Sequence, residues 1–411
     1  MIEYILLFLF FICFIPILYI KIKYPFWSNQ PIFHTYDYLR FWTRTPYIIQ
    51  TGFPSKNKYL SNKIVSMNFL DIDDNQLENI VRFIQEHYVD SDKVLTMISS
   101  KDIQTELSGN KHPSYLSFYT EKQVNYDSKS SQIVENNTLV GCITSRAIKI
   151  YMNTPEKFQE TVYYWDYICT HRNFQDKYLG RNLIQTHERY QRLNNLGISA
   201  SLFKFESTLC PGVVPLINYT VHTYPIVQII RPPMSKFSIE RIKHDKVNHL
   251  YDYLYNITHN TAYNPFEICI FPDTISLDNL IQNDRLIVYG LFQKSKMQAL
   301  YFFKDPKLCY DNDEGRNVIE CVSSISLKDI SEPTINSLYF GGFLHALYDI
   351  QLTYNNKFKL ITFFEMANNE NIIERWKWKY NPLSINQSAF YLYNAILPRM
   401  PFDQKNALII L

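Results

Sequence analysis

Residues Tyr163 to Arg192 read YYWDYICTHRNFQDKYLGRNLIQTHERYQR, and the fold follows from how this stretch divides. Its opening belongs to Thr161–Cys169 (TVYYWDYIC), rich in aromatic and β-branched residues, which predicts a strand. Apolar spacing predicts a helix from about Leu179 to Asn194, with Leu183, Ile184, Tyr190 and Leu193 near one face. Gly197 is placed to end that helix as a C′ residue. The segment Gln175-Asp176-Lys177-Tyr178-Leu179-Gly180 opens the helix. A helix start presents unpaired N–H groups and a positive dipole end, a setting that suits a pyrophosphate. Gly180 permits close backbone approach. Many α/β proteins contain a strand, a loop and a helix with one Gly, so this layout alone names no ligand.

The pattern extends in both directions. Thr138 to Tyr151 predicts a strand paired with Thr161–Cys169, and Ile198 to Phe205 predicts the next. Upstream, a short strand from Ile64 runs into Asp73-Asp74, which can cap a helix carrying Leu77, Ile80, Val81 and Ile84. After Pro232-Pro233, Phe237 to Ile242 and a helix from Asp245 (Val247, Leu250, Tyr251, Leu254) repeat that order, suggesting a duplicated α/β unit. Strands are predicted at Arg285 to Phe292, Met297 to Phe303, Asn317 to Ser326 and Lys357 to Phe364. Helices are predicted at Ile335 to Leu352 and Asn371 to Trp378. Residues 24 to 62 read as an irregular arm over the body, and the apolar end ALIIL as a tail tucked into the core. The expected class is α/β (α+β), mixed sheets flanked by helices, with boundaries at 1–23, 24–228 and 229–411.

Composition limits the function. The 411 residues are 46% apolar, enough for a large core. Lys plus Arg is 41 against 39 for Asp plus Glu, a net charge of +2, without the basic surplus of a nucleic-acid binder. The seven cysteines are widely spaced with no C-x-x-C pair, which points to reduced thiols rather than a disulfide framework or zinc site. His112, His244, His249 and His259 lack metal-ligand spacing, so no metal is expected. Ser207 and Cys210 have no recognisable base, and no nucleophile is assigned.

Tyr4 to Ile20 reads YILLFLFFICFIPILYI, without a charge. At ~1.5 Å per residue this run reaches ~25 Å, slightly short of a ~30 Å hydrocarbon core, and the flanking apolar residues extend it. Lys21 and Lys23 follow it, so by the positive-inside rule the body faces the cytosol. The expectation is a single-pass membrane segment over residues 4–20; a buried helix of the globular body is the alternative.

The stretch YYWDYICTHRNFQDKYLGRNLIQTHERYQR resembles the acyl-CoA segment of the eukaryotic N-myristoyltransferase family, whose fold is a double GNAT unit. Tyr24-Pro25-Phe26-Trp27-Ser28-Asn29-Gln30-Pro31 is similar to that family's FW-x-T-Q-P opening, and Glu86-His87-Tyr88-Val89-Asp90 to its E-N-Y-V-E segment. Leu139-Val140-Gly141 is similar to its L-V-G strand, and Cys169-Thr170-His171 to its C-V-H. Glu365 to Trp378 resembles its DLMEN-x-x-FLEKLKF segment, and Tyr391-Leu392-Tyr393-Asn394 its Y-L-Y-N.

The resemblance implies transfer of myristate from myristoyl-CoA, a co-substrate rather than a resident cofactor, to the N-terminal glycine amine of proteins. It implies that Tyr167 and Ile168 supply backbone N–H groups from a strand bulge as an oxyanion hole, and that the Leu411 carboxylate is the base. Tyr24, Phe26, Trp27 and Asn29 would cover the acyl-CoA. Tyr167, Ile168, Cys169 and Thr170 would line it, and Asp176, Tyr178, Leu179 and Gly180 would meet its phosphates. Tyr88, Asp90, Asp92, His222, Tyr224 and Glu365 would meet the peptide. The protein is expected to act as a monomer.

The sequence departs from the family at several of these places. Gln175, Asp176 and Tyr178 stand where the family has Arg, Ser and Arg; Arg172, Lys177 and Arg181 are the neighbouring cations. Phe203-Lys204-Phe205-Glu206 replaces a Tyr-Thr-Ala-Gly segment. His222-Thr223-Tyr224 reverses a Tyr-x-His order. Asn381 to Ser388 replaces a Gly-rich loop. Two other readings therefore stay open: a non-catalytic acyl-CoA or acylated-protein binding module that keeps the fold, and a small-amine acetyltransferase.

Overall fold

The computed structural model describes residues 2–42, 45–54, 56–89, 93–127, 132–153, 158–172, 174, 178–206, 209–227, 229–233, 236–259, 265–310, 315–327 and 332–411. The chain begins with helix α1 (Ile2–Lys23), followed by an arm of short turns and strand β1 (Tyr47–Ile48). Next come β2 (Ile64–Asn68), α2 (Asp74–His87), β3 (Val94–Thr96), α3 (Ser100–Leu107), β4 (Tyr115–Asp127) and β5 (Gln132–Met152). Strand β6 (Phe158–Thr170), α4 (Leu179–Asn194), β7 (Ser201–Glu206) and β8 (Ile217–Pro225) follow. The later chain holds β9 (Ser238–Ile242), α5 (Val247–His259), β10 (Ile268–Phe271), α6 (Thr274–Gln282), β11 (Leu286–Gln293) and β12 (Lys296–Lys304). It continues with β13 (Leu308–Tyr310), β14 (Arg316–Ser326), α7 (Pro333–Thr353), β15 (Phe358–Phe364) and α8 (Asn369–Lys377). It ends with β16 (Ser384–Tyr393), β17 (Ala395–Ile396) and β18 (Ala407–Ile409).

Local chemistry explains the elements that set up the site. The Asp73 carboxylate accepts the Gln76 N–H at 2.7 Å and starts α2, which buries Leu77, Ile80, Val81, Phe83 and Ile84. Ser99 and Asp102 form a reciprocal capping box that starts α3. Helix α4 spans the expected residues and buries Leu183 and Ile184, but Leu193 is exposed. Gly197 is not its C′ residue. Asn195 is the C-cap in an extended conformation, and its side-chain oxygen accepts the Gly197 N–H at 3.1 Å, so no left-handed glycine is needed. Gly141 has a different role: a Cβ there would lie 2.8 Å from Leu183 Cδ1, so glycine lets α4 press onto β5.

Apart from β1 and β17, which pair with each other, the strands form one mixed sheet whose main order is β18-β10-β5-β6-β7-β16-β8-β15-β14-β12-β11-β9, with β4 and then β2 extending from β5. Strand β16 lies between β7 and β8 and is antiparallel to both. The stretch Asn381 to Ser388, which stands where the resembled family has a Gly-rich loop, enters this strand at Ser384. Strands β6 and β7 pair only at Tyr163–Ser201 and Tyr164–Leu202, then part. One core joins the sheet to α5 and α6, a second joins it to α7 and α8, and a third gathers Phe26, Trp165, Phe203, Tyr391 and Leu183. Each large apolar side chain so buried contributes about 1.5–3 kcal/mol before entropy is counted.

The described cysteines Cys142, Cys169, Cys210, Cys269, Cys309 and Cys321 are buried free thiols. Among the described residues no cluster of His, Cys, Asp and Glu could hold a metal. Among them, too, no helix is long and apolar enough to cross a membrane. Most described side chains of α1, including Phe11, Phe14, Leu18 and Ile22, are exposed, whereas Ile17 and Ile20 are half-buried and Ile20 packs against Gly212 of the body.

Candidate active site

The divergence of β6 from β7 coincides with an irregularity on the other edge of β6. Cys142 faces Cys169 and Thr144 faces Asp166, so the single residue Ile143 opposes both Tyr167 and Ile168. This is a β-bulge. Tyr167 sits at φ +48°, a left-handed conformation that costs an aromatic residue about 1–3 kcal/mol. Several bonds hold it there. The Tyr167 hydroxyl donates to Glu106 Oε2 at 2.7 Å, and the Thr144 hydroxyl donates to the Asp166 carbonyl at 3.0 Å. The Tyr167 N–H donates to Asp166 Oδ1 at 2.9 Å. The Cys142 thiol lies 3.6 Å from the Tyr167 carbonyl and 3.4 Å from Cys169 Sγ.

The bulge opens onto a cavity of about 200 Å³ where the strands have parted. Its floor is one face of six strands and follows the period of two: Lys204 and Glu206 on β7, Asn386 and Ser388 on β16, and Val221 and Thr223 on β8. Thr362 on β15, Glu320 on β14 and Lys304 on β12 continue it. Tyr88 closes one wall, its ring 5.4 Å from that of Tyr167 and its hydroxyl donating to Asp166 Oδ1 at 3.4 Å.

The cavity is lined with charges. Beneath the bulge, Arg285 pairs with Glu106 and donates to the Asp305 carbonyl at 2.7 Å. Burial raises the Glu106 carboxyl, but Arg285, Lys304 and Arg146 outweigh it and hold the group below its ordinary value. Asp166 is pushed up, first by burial and then by Glu106, against Lys304, Arg146 and the Tyr167 N–H. Lys204 pairs with Glu206, and that lysine holds the Glu206 carboxyl down. Burial lowers Lys304 and raises Glu320.

The residues expected at the acyl-CoA lie around the third core. Phe26 is buried, and Trp27 stacks on Phe203 at 5.1 Å with planes 8° apart. Asn29 donates to the Pro25 carbonyl at 2.6 Å. Tyr24 accepts the Ser28 N–H on its carbonyl. Tyr391-Leu392-Tyr393-Asn394 fastens this arm: the Tyr393 hydroxyl donates to Gln30 Oε1 at 2.7 Å, and the Asn394 N–H to the Pro31 carbonyl at 2.7 Å. At the start of α4, Leu179 is buried, Gly180 and Thr170 are half-buried, and Tyr178 is exposed beneath the Arg181 guanidinium. Among the described residues, no side chain caps this helix start. Arg172 donates to the Val89 carbonyl. Asp176 and the neighbouring Gln175 and Lys177 lie outside the described residues.

The expected peptide residues divide. Tyr88 is in the cavity wall. His222 and Tyr224 are not in the cavity: Val221 and Thr223 occupy that face of β8, and strand alternation turns their neighbours to the other side. There His222 Nε2 meets Glu365 Oε2 at 2.9 Å, and Tyr224 packs into the α7–α8 core. Asp90 and Asp92 lie outside the described residues. Leu411 is half-buried on the core beside β10, past the Ile410 N–H that donates to the Ile270 carbonyl at 2.8 Å, and does not line the cavity. The sequence reading passed over Asp166, Glu106, Arg285, Lys304 and Glu320. Asp166 alone left a signal, as the one charge in the aromatic stretch Thr161–Cys169.

The backbone trace places these features in a known architecture. Yeast (Saccharomyces cerevisiae) N-myristoyltransferase with bound myristoyl-CoA superposes with a TM-score of 0.68 at 12% identity, covering 94% of this chain and 99% of that one. The same enzyme in a second crystal structure gives 0.68 at 14% identity, covering 94% and 93%. A third, with inhibitors as well, gives 0.67 at 13% identity, covering 95% and 94%. The chain has the N-myristoyltransferase fold. No protein-family model and no curated protein sequence matches it. At this identity the likeness carries the fold, while the bulge, the charged cavity and the aromatic arm are observed directly in this chain.

Proposed function

We propose that this protein is an N-acyltransferase that moves a long acyl chain, myristoyl in the first instance, from CoA to the N-terminal glycine amine of a protein. The observation that carries this reading is the bulge at Tyr167–Ile168, facing a cavity where β6 and β7 separate within an N-myristoyltransferase fold. The amine attacks the thioester carbonyl carbon, and the carbonyl electron pair moves to oxygen. Backbone N–H groups of Tyr167 and Ile168 receive that oxygen. The C–S bond then breaks and the CoA thiolate leaves. The half before residue 229 holds the acyl-CoA under Phe26 and Trp27, the later half completes the peptide groove, and the protein acts as a monomer. The resemblance gives the base to Leu411, which packs outside the cavity lining.

The experiment is incubation of the protein with myristoyl-CoA and Gly-initiated peptides, read by peptide mass. Acylated peptide supports the enzyme. Binding of myristoyl-CoA without transfer favours an acyl-CoA binding module instead, and preference for acetyl-CoA favours a small-acyl transferase.

Residues 4–20 form a membrane tether in this reading, with the catalytic body in the cytosol. Support comes from the uncharged run from Tyr4 to Ile20 and the exposed apolar side chains of α1. Carbonate extraction and protease protection test it: release at high pH, or protection of the body inside vesicles, sinks it.

A further inference from the structure

Asp166 stands where acyl transfer needs a proton acceptor. Its carboxylate lines the cavity, accepts the Tyr167 N–H at 2.9 Å and is steadied by the Tyr88 hydroxyl at 3.4 Å. Both bonds use Oδ1. The N–H that it occupies is one of the two donors assigned above to the thioester oxygen. A thioester oxygen and the Asp166 carboxylate therefore compete for a single donor.

We propose that Asp166 is a catalytic residue: it caps the Tyr167 donor while the site is empty, then accepts the proton of the attacking amine once the thioester oxygen takes that donor. The proposal rests on the acyl-transfer reading. The nucleophile closes on the carbonyl carbon from ~3–3.5 Å, while the oxygen lies ~3 Å from the N–H donors. A carboxylate already within hydrogen-bond reach of the Tyr167 nitrogen needs only a side-chain rotation to come within ~2.6–3.2 Å of that amine. The substrate ammonium also takes the place of the N–H that Asp166 gives up.

The protons balance. Asp166 takes one proton from the ammonium, leaving a free amine. The amine forms the C–N bond, and the C–S bond breaks with its electron pair going to sulfur. The second proton on nitrogen ends on the CoA thiol, and the third stays on the amide. Asp166 then returns its proton to solvent through the open cavity. The groups facing the carboxylate are Tyr88, Tyr164 and Tyr167, Glu106 on α3, Arg146 on β5 and Lys304 on β12. Burial and Glu106 make Asp166 a stronger base than a free carboxylate, which titrates near ~3.9.

The test compares the full chain with its Asp166→Asn and Asp166→Glu variants. Readouts are the pH–rate profile for myristoyl transfer to a Gly peptide and myristoyl-CoA affinity by calorimetry. Asp166→Asn is expected to lose ~10²–10⁴-fold in kcat and to lose the acid limb of the profile, with acyl-CoA affinity unchanged. Asp166→Glu should recover part of the rate. An Asp166→Asn protein with the wild-type rate and acid limb overturns the assignment and leaves the acyl-transfer reading standing. No transfer by the wild type overturns both. If Asp166→Asn does not fold, a chain lacking Leu411 decides. An acid limb that survives this deletion supports Asp166, and one abolished by it overturns the proposal.

Discussion

Gln30 and Tyr393 are 363 positions apart in the chain and share a buried hydrogen bond of 2.7 Å. The bond fastens the aromatic arm that carries Phe26 and Trp27 to the strand next to β7. Tyr393→Phe should lower stability by about 1–3 kcal/mol, because Gln30 is left with an unmet acceptor in the core. Urea denaturation measures this. An unchanged midpoint would show that the arm is held by packing alone.

The bulge makes main chain and side chain separable. Tyr167→Phe removes the bond to Glu106 but keeps the backbone donor, so transfer should persist within a few-fold while stability falls by about 1–2 kcal/mol. Ile168→Pro deletes an N–H and should cost about 10²–10³-fold in kcat. Steady-state kinetics with circular dichroism as a folding control checks both. Equal losses in the two variants would contradict the backbone role.

Glu188 gives a pH signature unrelated to catalysis. Its carboxyl is pushed up to about 7 by burial, despite Arg192 at 3.5 Å and the amide of Gln191 at 2.7 Å. A free Glu titrates near ~4.3, so between about pH 4.3 and 7 the folded state binds more protons than the unfolded one. Stability should therefore fall as pH rises through that window and level off above it. Glu188→Gln should remove this component of the slope. Denaturation midpoints at pH 5, 6 and 8 for both proteins test it, and parallel curves would refute the shift.

Gly141 sets the distance between β5 and α4. Its replacement by Val adds a Cβ 2.8 Å from Leu183 Cδ1, overpacking the buried contact at a cost of about 1–3 kcal/mol. The helix start that follows Tyr178 should shift with it, and myristoyl-CoA affinity should weaken. Calorimetric titration of Gly141→Val gives the answer; wild-type affinity would mean that α4 does not help seat the cofactor.

Local signals were readable wherever one segment contained them. The Asp73 cap, the bounds of α4 and the strand pair around Tyr163 follow from side-chain chemistry within a few residues. Strand β16 begins with Ser384, Ile385, Asn386 and Gln387, all exposed, so its first residues show no buried alternation. The face of β8 was misread because period two fixes which residues share a side, not which side meets the cavity. Val221 and Thr223 won that side through the register with β15 and β16. The charge cluster was hidden for a different reason. Glu106 on α3, Asp166 on β6, Arg285 in the turn before β11 and Lys304 on β12 are far apart in the chain, and only the packing of α3 onto the sheet and the order of its strands bring them together.

The place of β16 has a consequence for biosynthesis. A ribosome releases β7 and β8 long before it makes residues 384–393, which alone occupy the gap between them. Until then both strands expose edge N–H and C=O groups that would template pairing with another chain. Closure of the sheet's centre must await almost the whole polypeptide, a long-range step of the kind that slows folding. A nascent chain stalled near residue 380 is thus an aggregation-prone intermediate that a chaperone would need to hold, and the charged cavity, whose floor includes Asn386 and Ser388, is among the last features to form.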